Sequence, residues 1–234
     1  MPTAHNSHSN MAGRTERQPQ IVRRRSKLSL ALKRAMDLVL SLILMVLSLP
    51  VLLLSAIAVR LDSPGPILWL QSRVGLNGKH FRIMKFRTMV IQDISQERYL
   101  RDLVRDGGRT ADRGGRILKI QADPRITRVG QFLRRFGLNE LPSILNVLKG
   151  DMSIVGPRAA HPYEIEFYSD RQKMRLNVKP GITGAWQILG QTTDFETMVE
   201  IDLEYVSRQS LMLDLLILIK TIPAIFRRSA FYLV

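Results

Sequence analysis

Leu38-Val-Leu-Ser41-Leu-Ile-Leu-Met-Val-Leu-Ser48-Leu-Pro50-Val-Leu-Leu-Leu-Ser55-Ala-Ile-Ala-Val59 runs for 22 residues without a charge. As one helix it reaches roughly 33 Å, enough to cross the hydrocarbon core of a bilayer. A helix buried in a soluble core is a poor alternative, because such helices are rarely apolar on every face. Pro50 complicates a plain crossing. It lacks a backbone donor and clashes with the preceding turn, so the spacing predicts a kink or break near Leu49. The arms on either side would measure roughly 18 and 14 Å, each too short to cross alone.

The flanks bear on the same choice. Before the run lie Arg14, Arg17, Arg23, Arg24, Arg25, Lys27, Lys33 and Arg34 against the single acid Glu16. After it come Arg60, Arg73, Lys79, Arg82, Lys85 and Arg87. A spanning helix normally shows its Lys/Arg excess on one side. Cations on both sides fit a hairpin that dips in and returns, although a kinked span remains open on physics alone. Residues 1–33 hold few large apolar groups and read as a disordered basic arm, and 34–61 as the membrane helix.

The whole chain has 234 residues, with 35 Lys plus Arg against 20 Asp plus Glu, a formal charge of +15. That balance points to an anionic partner: nucleic acid, anionic lipid or a phosphorylated substrate. The absence of cysteine excludes disulfides, thiolate metal sites and a cysteine nucleophile. Aromatic residues make up only 6%, with no helix-turn-helix or stacking platform, so no nucleic-acid partner is expected.

From Asp62 the chain reads as globular, a small domain over 62–226 with a tail at 227–234. Short strands are expected at Ile67–Leu70 and His80–Met84, and a helix around Gln96–Arg105. Arg125–Phe136 reads as a helix stopped by Gly137. Asn139–Lys149 reads as the next, with Asn139 as N-cap, Pro142 in its first turn and Gly150 beyond its end. A further helix is expected from Thr192 to Ser207. Leu211–Phe226 is apolar but carries Asp214, Lys220 and Pro223, as suits a helix lying on a membrane surface.

No Walker loop, GxGxxG or GxSxG occurs. Candidate chemistry concentrates between Asp123 and Gln191. Arginines such as Arg134 precede a helix start at Asn139-Glu140, and Arg158 lies on a later turn. Free N–H groups at a helix start and nearby guanidinium groups suit phosphate. Glu140 could bind Mg²⁺ or move a proton. A solvated basic face with an ordinary cap explains the same residues.

Four stretches then become recognisable in order: Lys85-Phe86-Arg87-Thr88-Met89, Arg134-Arg135-Phe-Gly-Leu-Asn139-Glu140-Leu-Pro142, Asn146-Val-Leu-Lys-Gly-Asp151-Met-Ser-Ile-Val-Gly156-Pro157-Arg158, and Lys179-Pro180-Gly181-Ile182-Thr183-Gly184. Together they resemble the bacterial sugar transferase family, monotopic phosphoglycosyl transferases acting on polyprenyl phosphate. The resemblance covers roughly Lys33 to Phe226. It implies an α+β, mostly helical fold: a re-entrant N-terminal helix broken at Pro50, a small catalytic domain on the cytoplasmic face of the bacterial inner membrane, and amphipathic interfacial helices. It implies transfer of a sugar 1-phosphate from a UDP-sugar to polyprenyl (undecaprenyl) phosphate, giving UMP and a polyprenyl-diphosphate sugar, the first step of an exopolysaccharide or other surface polysaccharide. Mg²⁺ is the implied cofactor and inner-membrane lipid an implied partner; a homodimer is left open.

By the same resemblance, Glu140 matches a catalytic and metal-binding Glu, Arg134 and Arg158 match phosphate-contacting arginines, and Lys85 matches a basic active-site residue. The chain departs where it matters most. Asn139 stands where the family carries its nucleophilic Asp, and a neutral carboxamide is a poor nucleophile. Ala159 and Gln191 are smaller departures. Asn139 is open to three explanations: an introduced change that holds substrate without turnover, a variant in which Glu140 takes over, or a non-catalytic paralogue that binds lipid phosphate or nucleotide sugar as a scaffold.

Overall fold

The computed structural model describes residues 26–90, 125–189 and 195–231. Most of the basic arm, the helix expected at Gln96–Arg105, and Gln191 lie outside the described residues. The first element, α1, is one helix from Lys27 to Asp62, capped by Ser26, whose hydroxyl accepts from the Ser29 N–H. It begins before the 1–33 arm was expected to end, because Lys33 and Arg34 are tied to the globular part. The Arg34 guanidinium donates to the carbonyls of Val147 (2.6 Å) and Leu148 (2.9 Å). Helical assignment continues through Pro50, so the two arms form one element rather than two separated by a loop.

The sides of α1 are unequal. Asp37, Ser41, Ser55 and Val59 are buried, spaced by four, fourteen and four residues along one side. Leu42, Ile43, Leu44, Val46, Leu47, Leu53, Leu54 and Ile57 are exposed. Polar groups turn inward and aliphatic groups outward, the reverse of a water-soluble helix. The uniform apolarity of the sequence hides this, because within the uncharged run only Ser41 and Ser55 mark the buried side.

After the Ser63–Pro66 turn the chain makes an antiparallel hairpin, β1 (Leu68–Val74) and β2 (His80–Phe86), with Trp69 opposite Lys85 and Arg73 opposite Phe81. Both expected strands are present and longer than their sequence bounds. Asn77 and Gly78 take the positive φ that the tight connection needs. Arg87 ties the hairpin to α1: its guanidinium donates to the carbonyls of Val59 (3.2 Å), Ser63 (2.6 Å) and Pro64. Arg87 and Arg73 are both buried, so neither serves as a flanking cation at a membrane surface.

Helix α2 (Arg128–Arg135) follows, capped by Thr127 and stopped by Gly137 at φ 70°. A 3₁₀ turn, Leu138–Ser143, leads into α3 (Ile144–Lys149), which Gly150 ends at φ 94°. Two side chains from this segment bond β2 in place of a neighbouring strand. Asn146 accepts from the Met84 N–H (2.9 Å) and donates to the Arg82 carbonyl (2.8 Å), and the Ser143 hydroxyl donates to the Met84 carbonyl (2.8 Å). Lys85 is thereby fixed against the turn that carries Glu140.

Strand β3 (Ser153–Val155) pairs in parallel with β4 (Gly181–Thr183). A Cβ at Gly181 would sit 2.1 Å from the Gly156 nitrogen, and one at Gly184 would sit 2.3 Å from the Gly156 carbonyl oxygen. Close backbone approach therefore joins the third and fourth recognisable stretches. Between them lie the short helices α4 (Pro162–Ile165) and α5 (Asp170–Lys173). After β4 come α6 (Ala185–Ile188), α7 (Phe195–Arg208) and α8 (Leu211–Phe231). One apolar cluster joins Ile83, Val147, Met152, Val155, Tyr205 and Ile217. A second gathers Tyr168, Phe195, Met198 and Val199.

Asp214 corrects one expectation. Its side chain is fully buried and pairs with Lys33 at 2.9 Å, rather than facing headgroups or water. The exposed side of α8 instead presents Met212, Leu215, Leu216, Ile219, Ile222 and Ile225.

Candidate active site

The sequence brings Lys85 and Glu140 together from distant positions, and the fold does so directly. The Lys85 Nζ donates to Glu140 Oε1 at 2.9 Å, with both side chains partly exposed. Burial pushes the Lys85 ammonium below its ordinary value, against the pull of Glu140. Three residues beyond Lys85, the Thr88 hydroxyl accepts from Arg134 Nε at 2.8 Å. Lys85 and Glu140 therefore meet between β2 and the 3₁₀ turn, and Arg134 on α2 is tied to Thr88 just beyond β2.

Asn139 is placed differently from expectation. It is not the N-cap of an α-helix but the second residue of the 3₁₀ turn, half-buried beside Glu140. Gly137 turns the chain in the left-handed region, and Pro142 has no N–H for an α-helical bond, so the segment tightens into 3₁₀. The α-helix starts only at Ile144, and a dipole argument at Asn139 loses its basis.

Arg158 is also placed differently. Its guanidinium donates to Glu164 at 2.9 and 3.3 Å, and Glu164 is buried. Arg158, with His161 and Arg73, holds the Glu164 carboxyl down at about 2 despite burial. The Arg158 main-chain N–H donates to Asp202, which pairs with Arg175 at 2.6 Å. Arg158 is thus part of a buried polar ladder as well as a neighbour of Lys85. Pro50 lies on the exposed side of α1 and not in this cluster.

Sequence reading missed two members. Arg73 is buried, and its guanidinium donates to the Ala159 carbonyl (2.8 Å) and to Gln71 Oε1 (2.8 Å). Burial and the neighbouring Arg158 bring it down to about 9. His161 stacks on Tyr163 with ring centroids 4.9 Å apart. Burial and Arg73 hold the imidazole neutral, at about 2. The signal for Arg73 was strand alternation: Lys85, Ile83 and Phe81 share a hairpin face with Trp69, Gln71 and Arg73.

What results is a cationic patch with one partly exposed carboxylate, built from the first three recognisable stretches together with Arg73. A sequence model described as bacterial sugar transferase matches residues 28–228. The chain belongs to the bacterial sugar transferase family. Among relatives, it is 37% identical over 194 residues to the exopolysaccharide production protein ExoY of Sinorhizobium fredii, covering 82% of this chain and 84% of that protein. It is 40% identical over 210 residues to the UDP-glucose:undecaprenyl-phosphate glucose-1-phosphate transferase of Escherichia coli, 86% of this chain and 41% of that one. It is 42% identical over 163 residues to the galactosyl transferase CpsE of Streptococcus agalactiae, 69% of this chain and 35% of that one. The family member described here therefore spans less than half the length of the last two.

Proposed function

We propose that this chain moves a sugar 1-phosphate from a UDP-sugar to polyprenyl phosphate at the cytoplasmic face of a bacterial inner membrane, initiating a surface polysaccharide. The net step forms a bond from an acceptor phosphate oxygen to the sugar-bearing phosphorus of the diphosphate and breaks the bond to UMP. The observation that carries the reading is the Lys85–Glu140 pair set among Arg134, Arg158 and Arg73. Cations fixed in a partly buried site stabilise the charge of a diphosphate under attack.

Mg²⁺ is the cofactor we assign to Glu140. No group of three or more His, Asp or Glu stands ready for a metal among the described residues. That donor set suits Mg²⁺, which is commonly held by one or two carboxylates and the substrate's own phosphates. Glu140 is 30% exposed and reachable from solvent, with the Asn139 carboxamide oxygen on the adjacent residue. The ion would neutralise phosphate charge there.

The inward-polar, outward-apolar α1 supports a helix set in lipid, and Pro50 supports a re-entrant path that returns to its starting leaflet. Tags at both termini should then resist periplasmic labelling in intact cells; labelling of the N-terminal tag alone would establish a crossing instead. Asn139 favours one second reading, binding without turnover. The experiment that separates the two is UMP release from a panel of UDP-sugars with Mg²⁺ and undecaprenyl phosphate. Release with formation of the lipid product supports transfer, and UDP-sugar binding without release supports the scaffold.

A further inference from the structure

Buried guanidinium groups normally face carboxylates, or several carbonyls at once. Arg87 follows the second pattern. It is 3% exposed and donates to three carbonyls of Val59, Ser63 and Pro64, at and just past the C-terminal end of α1, where the helix dipole is negative. Arg73 follows neither. It is 7% exposed and bonds one carbonyl and one side-chain amide oxygen, against three carbonyls for Arg87; the Nε of each guanidinium lacks a partner, so the difference lies in the acceptors that face the charge.

Its surroundings deepen the imbalance. The nearby carboxylates are already engaged, Glu140 by Lys85 and Glu164 by Arg158. Among the described residues here, three cations (Arg73, Lys85, Arg158) stand against two carboxylates, and His161 beside them is held neutral. Gln71 and Arg73 lie on the hairpin face that also carries Lys85, so the surplus charge belongs to the same wall as the Lys85–Glu140 pair. A cation kept in this state lowers stability unless a ligand completes it.

We propose that Arg73 is a substrate-binding residue whose unmatched charge receives the diphosphate of the nucleotide sugar, with Gln71 and the Ala159 carbonyl holding its guanidinium in place. The inference rests on the function proposed above and assigns that site a residue and an electrostatic design. It separates Arg73 from Arg87: one is held for a ligand and the other for the fold.

The test uses the full chain in nanodiscs, with UDP and inorganic pyrophosphate as probes in calorimetry and thermal unfolding. Arg73→Met should weaken binding of both probes roughly ten- to hundredfold while leaving the melting temperature equal to or above that of the parent chain. Arg87→Met should lower the melting temperature and leave probe binding by the folded protein unchanged. Arg73→Lys should recover part of the affinity. Binding by Arg73→Met within about twofold of the parent overturns the proposal. So does a melting temperature that falls as far as in Arg87→Met, or failure of both Arg73→Met and Arg73→Gln to fold, because Arg73 would then be structural. A parent chain that binds pyrophosphate but not UDP, with Arg73→Met losing pyrophosphate, keeps the anion site and removes the nucleotide reading. A parent chain that binds neither removes both.

Discussion

Two buried charge clusters of this chain stand at opposite extremes. At the root of α1, Lys33 Nζ lies 3.3 Å from Asp37 and 2.9 Å from Asp214. The surplus negative charge is met by neutral donors: the Ser153 hydroxyl (2.9 Å) and Ile154 N–H (3.1 Å) on Asp37, and the Tyr205 hydroxyl (2.7 Å) on Asp214. In the candidate active site the surplus is positive, and Arg73 finds few acceptors. The root cluster is electrostatically complete and ties α1 to β3 and α8. The site cluster is complete only with an anion. Burial alone does not distinguish structure from function; the balance of partners does.

Breaking the root should therefore have the largest effect on stability. Asp214→Ala removes one of two carboxylates from Lys33 and the acceptor of Tyr205. The expected loss is about 3 kcal/mol, read by denaturant titration of the purified chain. A loss below about 1 kcal/mol would mean that Asp37 alone suffices for Lys33.

Arg158→Ala comes next, because the structure gives this residue a partner that the sequence did not show. A phosphate-facing arginine on a turn could be removed with the fold intact. Arg158 instead neutralises buried Glu164, so its loss should cost about 2 kcal/mol in addition to any loss of ligand affinity. The double change Arg158→Ala with Glu164→Gln should restore part of the stability and none of the affinity. Melting curves and UDP titration on the same samples separate the two effects.

What the sequence exposed and what it hid follow from range. The two hairpin strands were legible, though not their pairing, because short apolar runs bounded by turn residues are local signals, and Gly137 and Gly150 announced helix ends because only a left-handed residue was needed there. Asn139 was misplaced because its cap pattern is also local, whereas the 3₁₀ turn depends on Pro142 and on docking against β2. The partners of Arg158 and Asp214 were illegible for a different reason. Glu164 approaches only because a short helix folds back, and Lys33 meets Asp214 across nearly the whole chain. Periodicity places a residue on a face, but it does not say which charge lies opposite.

A smaller effect should appear with pH. His161 is neutral in the folded chain down to about pH 2, whereas in an unfolded chain it protonates near pH 6.5. Below that value the unfolded state binds the extra proton, so stability falls as pH falls, by up to about 1.4 kcal/mol per pH unit. Glu164, held at about 2, adds to the loss only below its ordinary value of 4.5. Between pH 6.5 and 5 the slope therefore belongs to His161 rather than Glu164. His161→Asn should flatten it there, as measured by denaturant midpoints across that range, and an unchanged slope would assign the titration elsewhere.

Asn139→Asp should change stability least and chemistry most. Asn and Asp are nearly equal in size, and position 139 is half-buried in a turn rather than at a helix cap, so the change should cost under about 1 kcal/mol. The new carboxylate would stand next to Glu140 in sequence, itself paired with Lys85, in a cluster that among the described residues has positive charge to spare. That surplus favours its ionised form, and an ionised carboxylate is both a nucleophile and an oxygen donor for Mg²⁺. The Asp variant should release UMP from its sugar nucleotide faster than the parent chain and, without lipid acceptor, accumulate a phosphosugar adduct visible by intact-protein mass. Equal rates with no adduct would place the reaction on Glu140, and Glu140→Gln in the parent chain should then abolish it. Silence in both forms, with UDP still bound, would leave the site as a receptor for the nucleotide, since the charge imbalance around Arg73 draws in a diphosphate whether or not residue 139 can attack it.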